Sequence, residues 1–174
     1  MKRIFLSLVS IALFSLSQAQ EQKTLQEKIL GEKTLPAITL SDMDGKKVNV
    51  ADLSKDGKIT VLSFWATWCV PCKKELSNLS ELYEEWQKKY NLQIVAISID
   101  DSRSTTKVKP YISGQGWDYQ VLLDVNQDLK RDLAIQNVPF TVLVNEKGKI
   151  VYTHSGYVDG DEYVLEEEIQ KLKK

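Results

Sequence analysis

The sequence predicts an α/β domain: a mixed central β-sheet flanked by helices, extended at its start by a β-hairpin. Three patterns predict it. Two mostly apolar runs, Ile59–Trp65 and Leu92–Ile99, read as strands buried on both faces. Between them lies a long stretch with apolar residues at helical spacing, so strand, helix and strand alternate. Near the end, Phe140–Val144 and Lys149–His154 read as two strands joined by "NEKGK", a hairpin connection. The chain shows neither an internal repeat nor a low-complexity tract.

The first residues set the compartment. Lys2 and Arg3 precede an apolar run, Ile4–Leu16, which ends in Ser17-Gln18-Ala19. A charged start, a short apolar run and a small-x-small end describe a cleavable secretory signal peptide over residues 1–19. The apolar run is shorter than the roughly 20 residues a membrane-spanning helix needs. Cleavage after Ala19 predicts a periplasmic or otherwise exported chain starting at Gln20. Removing residues 1–19 takes two of the 23 basic residues, so net charge moves from −1 to −3. That balance gives no electrostatic footprint for nucleic acid or an anionic membrane. Residues 20–34 form a polar arm with scattered leucines, either a short helix or a mobile arm, and residues 35–174 form the domain.

The elements follow in order. Ile38, Leu40, Val48 and Val50 flank "SDMDGKKV", in which Asp44-Gly45 is a hairpin turn signal. Asp52–Gly57 is a loop before the strand Ile59–Trp65. After the cysteines, Leu76, Leu79, Leu82, Tyr83, Trp86 and Tyr90 make one helix face. Lys73, Lys74, Glu81, Glu84, Glu85 and Lys88 make the other. Leu92–Ile99 is closed by Asp100-Asp101-Ser102. Thr105–Ser113 is predicted helical, shortened or kinked by Pro110. Val121–Leu123 is a short strand, Asn126–Ala134 a helix with Leu129 and Leu133 on one side, and Asp161–Leu172 the closing helix.

The only two cysteines, Cys69 and Cys72, sit three residues apart where the apolar strand passes into the helix. A bridge between them would close a very short loop, and crosslinking entropy grows with loop length. A structural staple is therefore a poor use of the pair, and chemistry a better one. Pro71 lies where a first-turn proline is tolerated, which puts Cys69 at the helix N-terminus and Cys72 one turn in. Unpaired backbone N–H groups there favour an anion, and the thiolate is the form that attacks a disulfide. Cys69 is expected half-exposed and ionised as the nucleophile, with Cys72 more buried as the resolving thiol.

"FWATWCVPCKKE", Phe64–Glu75, resembles the active-site segment of the thioredoxin superfamily. The longer stretch "DGKKVNVADLSKDGKITVLSFWATWCVPCKKEL" is similar to exported TlpA/ResA-type thiol–disulfide oxidoreductases of the AhpC/TSA redoxin lineage. The likeness runs from about Leu35 to Leu172. It implies a thioredoxin-like fold and a Cys69–Cys72 disulfide that opens and closes. A second hallmark is "NVPFT", Asn137–Thr141: in that fold the matching proline, here Pro139, is cis and faces the cysteines. The resemblance also implies contact of the Val138–Pro139 backbone with a partner's extended chain. Trp68 is expected to cover one side of the site, with Val70 and Pro71 completing the surface a client meets. Implied partners are a disulfide-containing client protein, with apocytochrome c among the known clients of exported relatives, and a membrane thiol reductant that resets the pair. No cofactor, metal or second subunit is called for.

Other residues carry two readings each. In thioredoxin a buried acid lies six residues before the first cysteine; here that position is Ser63. In the ResA-type pattern a glutamate three residues after the second cysteine serves near the thiols, and Glu75 matches it. Otherwise Glu75 is a solvated first-turn residue that favours the helix dipole. That pattern often carries a proline two residues later, where this chain has Ser77. Trp65 reads as ordinary packing. Lys73 and Lys74 either lower the Cys69 pKa or lie on a solvated face. Asp100 and Asp101 read as turn caps. With Val144 facing Ile150 across the hairpin, His154, the sole histidine, is expected opposite Phe140 in a structural role. Two other functions remain: a thioredoxin-fold peroxidase, or a copper chaperone using the two cysteines with His154.

Overall fold

The computed structural model describes residues 33–173. The expected signal peptide and nearly all of the expected polar arm lie outside them. Seven strands form one sheet: β1 (Thr39–Asp42), β2 (Lys47–Asn49), β3 (Ile59–Trp65), β4 (Leu92–Ser98), β5 (Gln120–Leu123), β6 (Phe140–Val144) and β7 (Ile150–Ser155), in the spatial order β2-β1-β5-β4-β3-β6-β7. β3, β4 and β5 run parallel, and every other pairing is antiparallel. The sheet is mixed and thioredoxin-like. The N-terminal hairpin extends it at one edge by pairing β1 with β5. Its turn is stitched by Asp42, whose Oδ1 accepts from the N–H groups of Asp44 and Lys46, while Gly45 takes the positive φ of 85°.

β3 is central, and all seven of its residues are buried. The helix α1 (Val70–Tyr90) crosses β3 and β4 with Leu76, Leu79, Tyr83, Trp86 and Tyr90 inward, as the helical spacing predicts. It ends at Asn91, whose left-handed backbone (φ 51°) lets its N–H return to the Gln87 carbonyl. The closing helix α4 (Asp161–Lys171) lies beside it, where Tyr90 Oη and Lys89 Nζ both reach Glu166. Trp65 is fully buried in an aromatic group with Tyr111 and Trp117, each 5.8 Å away between ring centroids.

Three local expectations needed correction. The segment predicted helical over Thr105–Ser113 is a 3-10 turn (Thr105–Lys107) followed by the α-helix α2 (Val108–Gln115). Pro110 therefore falls in the first turn, where its missing N–H has no helical partner to lose, and it does not break the helix. The helix predicted over Asn126–Ala134 shrinks to α3 (Asp128–Asp132), because Gln127 and Ala134 both take positive φ. Its free N–H groups at Leu129 and Lys130 are capped by the buried Asp124. Most important, the β6–β7 hairpin carries a bulge between Leu143 and Val144: Val144 faces Ile150, but Leu143 faces Tyr152, leaving Val151 as the extra residue. His154 therefore faces Thr141 and not Phe140. A one-residue shift turns a side chain to the other face of a sheet.

Candidate active site

The cysteines lie where β3 ends and α1 begins. Cys69 is the N-cap residue of α1, with extended backbone (φ −89°, ψ 102°), and its Sγ accepts from the Cys72 N–H at 3.3 Å. The two sulfurs are joined in a disulfide, with Cα atoms 5.4 Å apart. A first-turn proline leaves the helical N–H ladder intact, which is why Pro71 fits between the cysteines. Cys72 is fully buried and Cys69 is 5% exposed. The expected half-exposed first sulfur is thus not what the oxidised state presents. With the bond closed, Cys69 Sγ is joined to the buried Cys72 and accepts from its N–H.

The turn that delivers Cys69 is held from the neighbouring strand. Asp100, just beyond β4, is 1% exposed. Its carboxylate accepts from the Thr67 N–H (2.9 Å), the Thr67 hydroxyl (2.6 Å) and the Ser98 hydroxyl (2.9 Å). The turn-capping reading of Asp100 is too local. The acid ties two strand ends together, two residues before the first cysteine. Asp101 does act locally, accepting from the Arg103 and Ser104 N–H groups.

Glu75 is not a solvated helix residue. It is 4% exposed, beneath α1 on the sheet face. Its Oε2 accepts from the Ser63 hydroxyl at 3.1 Å and its Oε1 from the Thr141 hydroxyl at 2.6 Å. Ser63 and Thr141 are register partners on β3 and β6, so both hydroxyls rise from the same sheet position. Burial pushes the Glu75 carboxyl from the usual 4.5 up to about 7, against the two hydroxyl bonds, which lower it. Ser63, the position where thioredoxin keeps its acid, holds the acid that α1 sends down. Thr141 went unread in the sequence, although it closes the "NVPFT" stretch that marks Pro139.

The Val138–Pro139 peptide bond is cis. Phe140 pairs with Phe64, so Pro139 emerges at the same sheet edge as the chain leading to Cys69. Pro139 is buried and Val138 half-buried. Trp68 and Val70 are 63% and 70% exposed on the two sides of Cys69, and Pro71 is exposed as well. Trp68 borders a surface hollow with Ile99, Arg103 and Lys107. Lys73 lies with its Nζ 5.4 Å from the Tyr111 ring centre, and Lys74 is 4.0 Å from Asp159. His154 sits on the Glu75 side of the sheet, with Nε2 3.1 Å from Asp161 Oδ2. Among the described residues, no group of three or more His, Cys, Asp or Glu is arranged to hold a metal.

Comparison with known proteins gives this geometry its context. The thiol–disulfide oxidoreductase ResA of Bacillus thuringiensis (strain Al Hakam) is 32% identical over 126 residues, covering 72% of this chain and 70% of that protein. The solution structure of a thioredoxin-like protein from Porphyromonas gingivalis superposes with a TM-score of 0.72 at 41% identity, covering 79% of this chain and 90% of that one. The crystal structure of StoA from Bacillus subtilis superposes with a TM-score of 0.59 at 26% identity, covering 74% and 96%. Residues 32–153 match the AhpC/TSA family. The chain belongs to the AhpC/TSA family, as a thioredoxin-like thiol–disulfide oxidoreductase of the ResA type.

Proposed function

We propose that this oxidoreductase works after export, reducing disulfides in client proteins, with Cys69 as nucleophile, Cys72 as resolving thiol and Glu75 as the group that holds the proton. The observation that carries the reading is a disulfide closed at a helix N-terminus, with the Cys72 N–H on Cys69 Sγ. That N–H and the helix dipole favour the Cys69 thiolate when the bond is open. The thiolate attacks one sulfur of a client disulfide. The client bond breaks, its other sulfur leaves as a thiolate and takes a proton, and a mixed disulfide forms. Cys72 then gives its proton to Glu75 and attacks Cys69. The bond from Cys69 to the client breaks, and the second client sulfur departs and is protonated. Two electrons have passed to the client, and the enzyme holds the Cys69–Cys72 bond. A carboxyl whose pKa lies near 7 can both take and return a proton at neutral pH.

The client's extended chain runs along the Val138–Pro139 backbone, between the cis proline and the exposed Trp68, Val70 and Pro71. The signal sequence at residues 1–19 supports export, and among the described residues no helix is long and apolar enough to cross a membrane. An apocytochrome c, whose paired thiols must be reduced before haem is attached, fits as client. A membrane thiol reductant fits as the donor that reopens the pair.

Cys69→Ser is expected to abolish reduction of insulin disulfides, and Cys72→Ser to leave a trapped mixed disulfide. Full activity of Cys69→Ser would refute the assignment of roles. A reduction potential for the pair near −300 mV is the value expected of a reductant; one near −120 mV would make the protein an oxidant instead.

A further inference from the structure

Thr141 has a second neighbour besides Ser63. Across the β6–β7 ladder it faces His154, so Ser63, Thr141 and His154 form one row over three adjacent strands. Glu75 sits over that row, bonded to its first two members. The same space is walled by Glu75, Thr141, His154, Tyr157, Asp161 and Glu162. Leu79, Tyr152 and Leu165 complete the wall, and the space measures about 10 Å³, the lower limit for a single water. The His154 side chain is 37% exposed and Asp161 21%, whereas Glu75 is sealed. The row therefore runs from a buried carboxyl to an imidazole that touches solvent.

We propose that His154, held by Asp161, is the relay through which Glu75 exchanges its proton with solvent during each turnover. The inference rests on the proposed role of Glu75 and extends it. Near neutral pH Glu75 holds a proton part of the time, and it must shed that proton before it can take the one from Cys72. The shed proton passes across the enclosed space to the ring nitrogen of His154 that Asp161 does not hold, and from there to a buffer base in solution. The return path delivers a proton to Glu75 in the reverse reaction. Asp161 is itself fixed, because its Oδ2 also accepts from the Val158 N–H at 2.8 Å. It orients the His154 ring, as a carboxylate partner does for a histidine base.

The other polar groups around Glu75 do not serve. Tyr157 Oη donates to Glu162, and Glu162 also accepts from the Gly160 N–H and from Asn78. That acid is committed to joining α1, the β7–α4 loop and α4. Tyr152 from β7 stacks on the His154 ring, 6.4 Å between centres. Tyr119 donates to the Leu76 carbonyl, away from the row. Ser63 and Thr141 hold the carboxyl, and His154 is their neighbour along the row, with Asp161 bonded behind it. The bulge that moved His154 by one register step is what places it in the row.

The test uses the full chain in single-turnover reaction with a disulfide peptide, timing release of the second client thiol by acid quench at pH 7 in dilute buffer. His154→Gln is expected to slow release by about tenfold, less than the loss of a group that acts directly on the reacting atoms, which is typically about 100-fold or more. Added imidazole, a small proton carrier, should restore the rate in that variant and leave the parent unchanged. Glu75→Gln should be slow and gain nothing from imidazole, since no carboxyl remains to reload. Should His154→Gln keep the parent rate, or stay slow at every imidazole concentration, the relay is overturned. A slow Glu75→Gln in that same experiment would leave the Glu75 role standing. Unchanged release in Glu75→Gln would overturn both. His154→Asn takes the place of His154→Gln if the latter does not fold.

Discussion

At the scale of single residues, Glu75 shows how burial changes what a carboxyl does. On an exposed helix turn it would stay ionised and add a few tenths of a kcal/mol through the dipole. Under α1 it holds its proton to about pH 7. The sign of the consequence for stability follows from linkage. The folded state binds this proton more tightly than the unfolded chain does. The group's contribution is therefore fully present below pH 4.5 and is lost as pH rises toward 7. Glu75→Gln, neutral at every pH, is expected to match the parent near pH 4 and to exceed it at pH 8 by up to about 3 kcal/mol. Urea unfolding of both oxidised proteins at the two pH values checks this. No gain at pH 8 would mean that the buried carboxyl is not held in its neutral form.

At the scale of elements, the site is the junction of β3 and α1, and its position depends on Asp100. One carboxylate takes three hydrogen bonds, two of them from Thr67. Removing it leaves a backbone N–H and two hydroxyls without that partner in a nearly sealed pocket. Asp100→Ala is expected to cost about 3 kcal/mol and to slow client reduction, since the turn before Cys69 loosens. Chemical denaturation gives the first number, and insulin reduction the second. A variant as stable and as active as the parent would remove Asp100 from this role. The elements were unequally legible in the sequence. α1 was plain because its apolar residues repeat over 21 residues with a cap at each end. α3, of five residues, was overdrawn, since positive φ at Gln127 and Ala134 leaves no mark in hydrophobic spacing. The β6–β7 bulge was invisible, because both the regular and the bulged hairpin alternate well enough to bury one face.

At the scale of the whole molecule, the active pair is a minor crosslink in a fold held together by its sheet. A loop of four residues removes little entropy from the unfolded chain. The disulfide should add no more than about 2 kcal/mol to stability. Oxidised and reduced protein are expected to unfold in single transitions that differ by that amount or less. A loss of 5 kcal/mol or more on reduction would return the cysteines to the role of a staple. What the sequence determined by itself was the α/β class and the strand-to-helix placement of Cys69 and Cys72, because each is written in contiguous residues; the cis form of Pro139 came from the family resemblance. What only the tertiary structure decided was the surroundings of Glu75, the anchor at Asp100 and the side of the sheet on which His154 lies. Glu75 meets partners 12 and 66 residues away, and Thr67 meets Asp100 across 33. Such meetings depend on strand order and register, which are properties of the folded chain and not of any stretch within it.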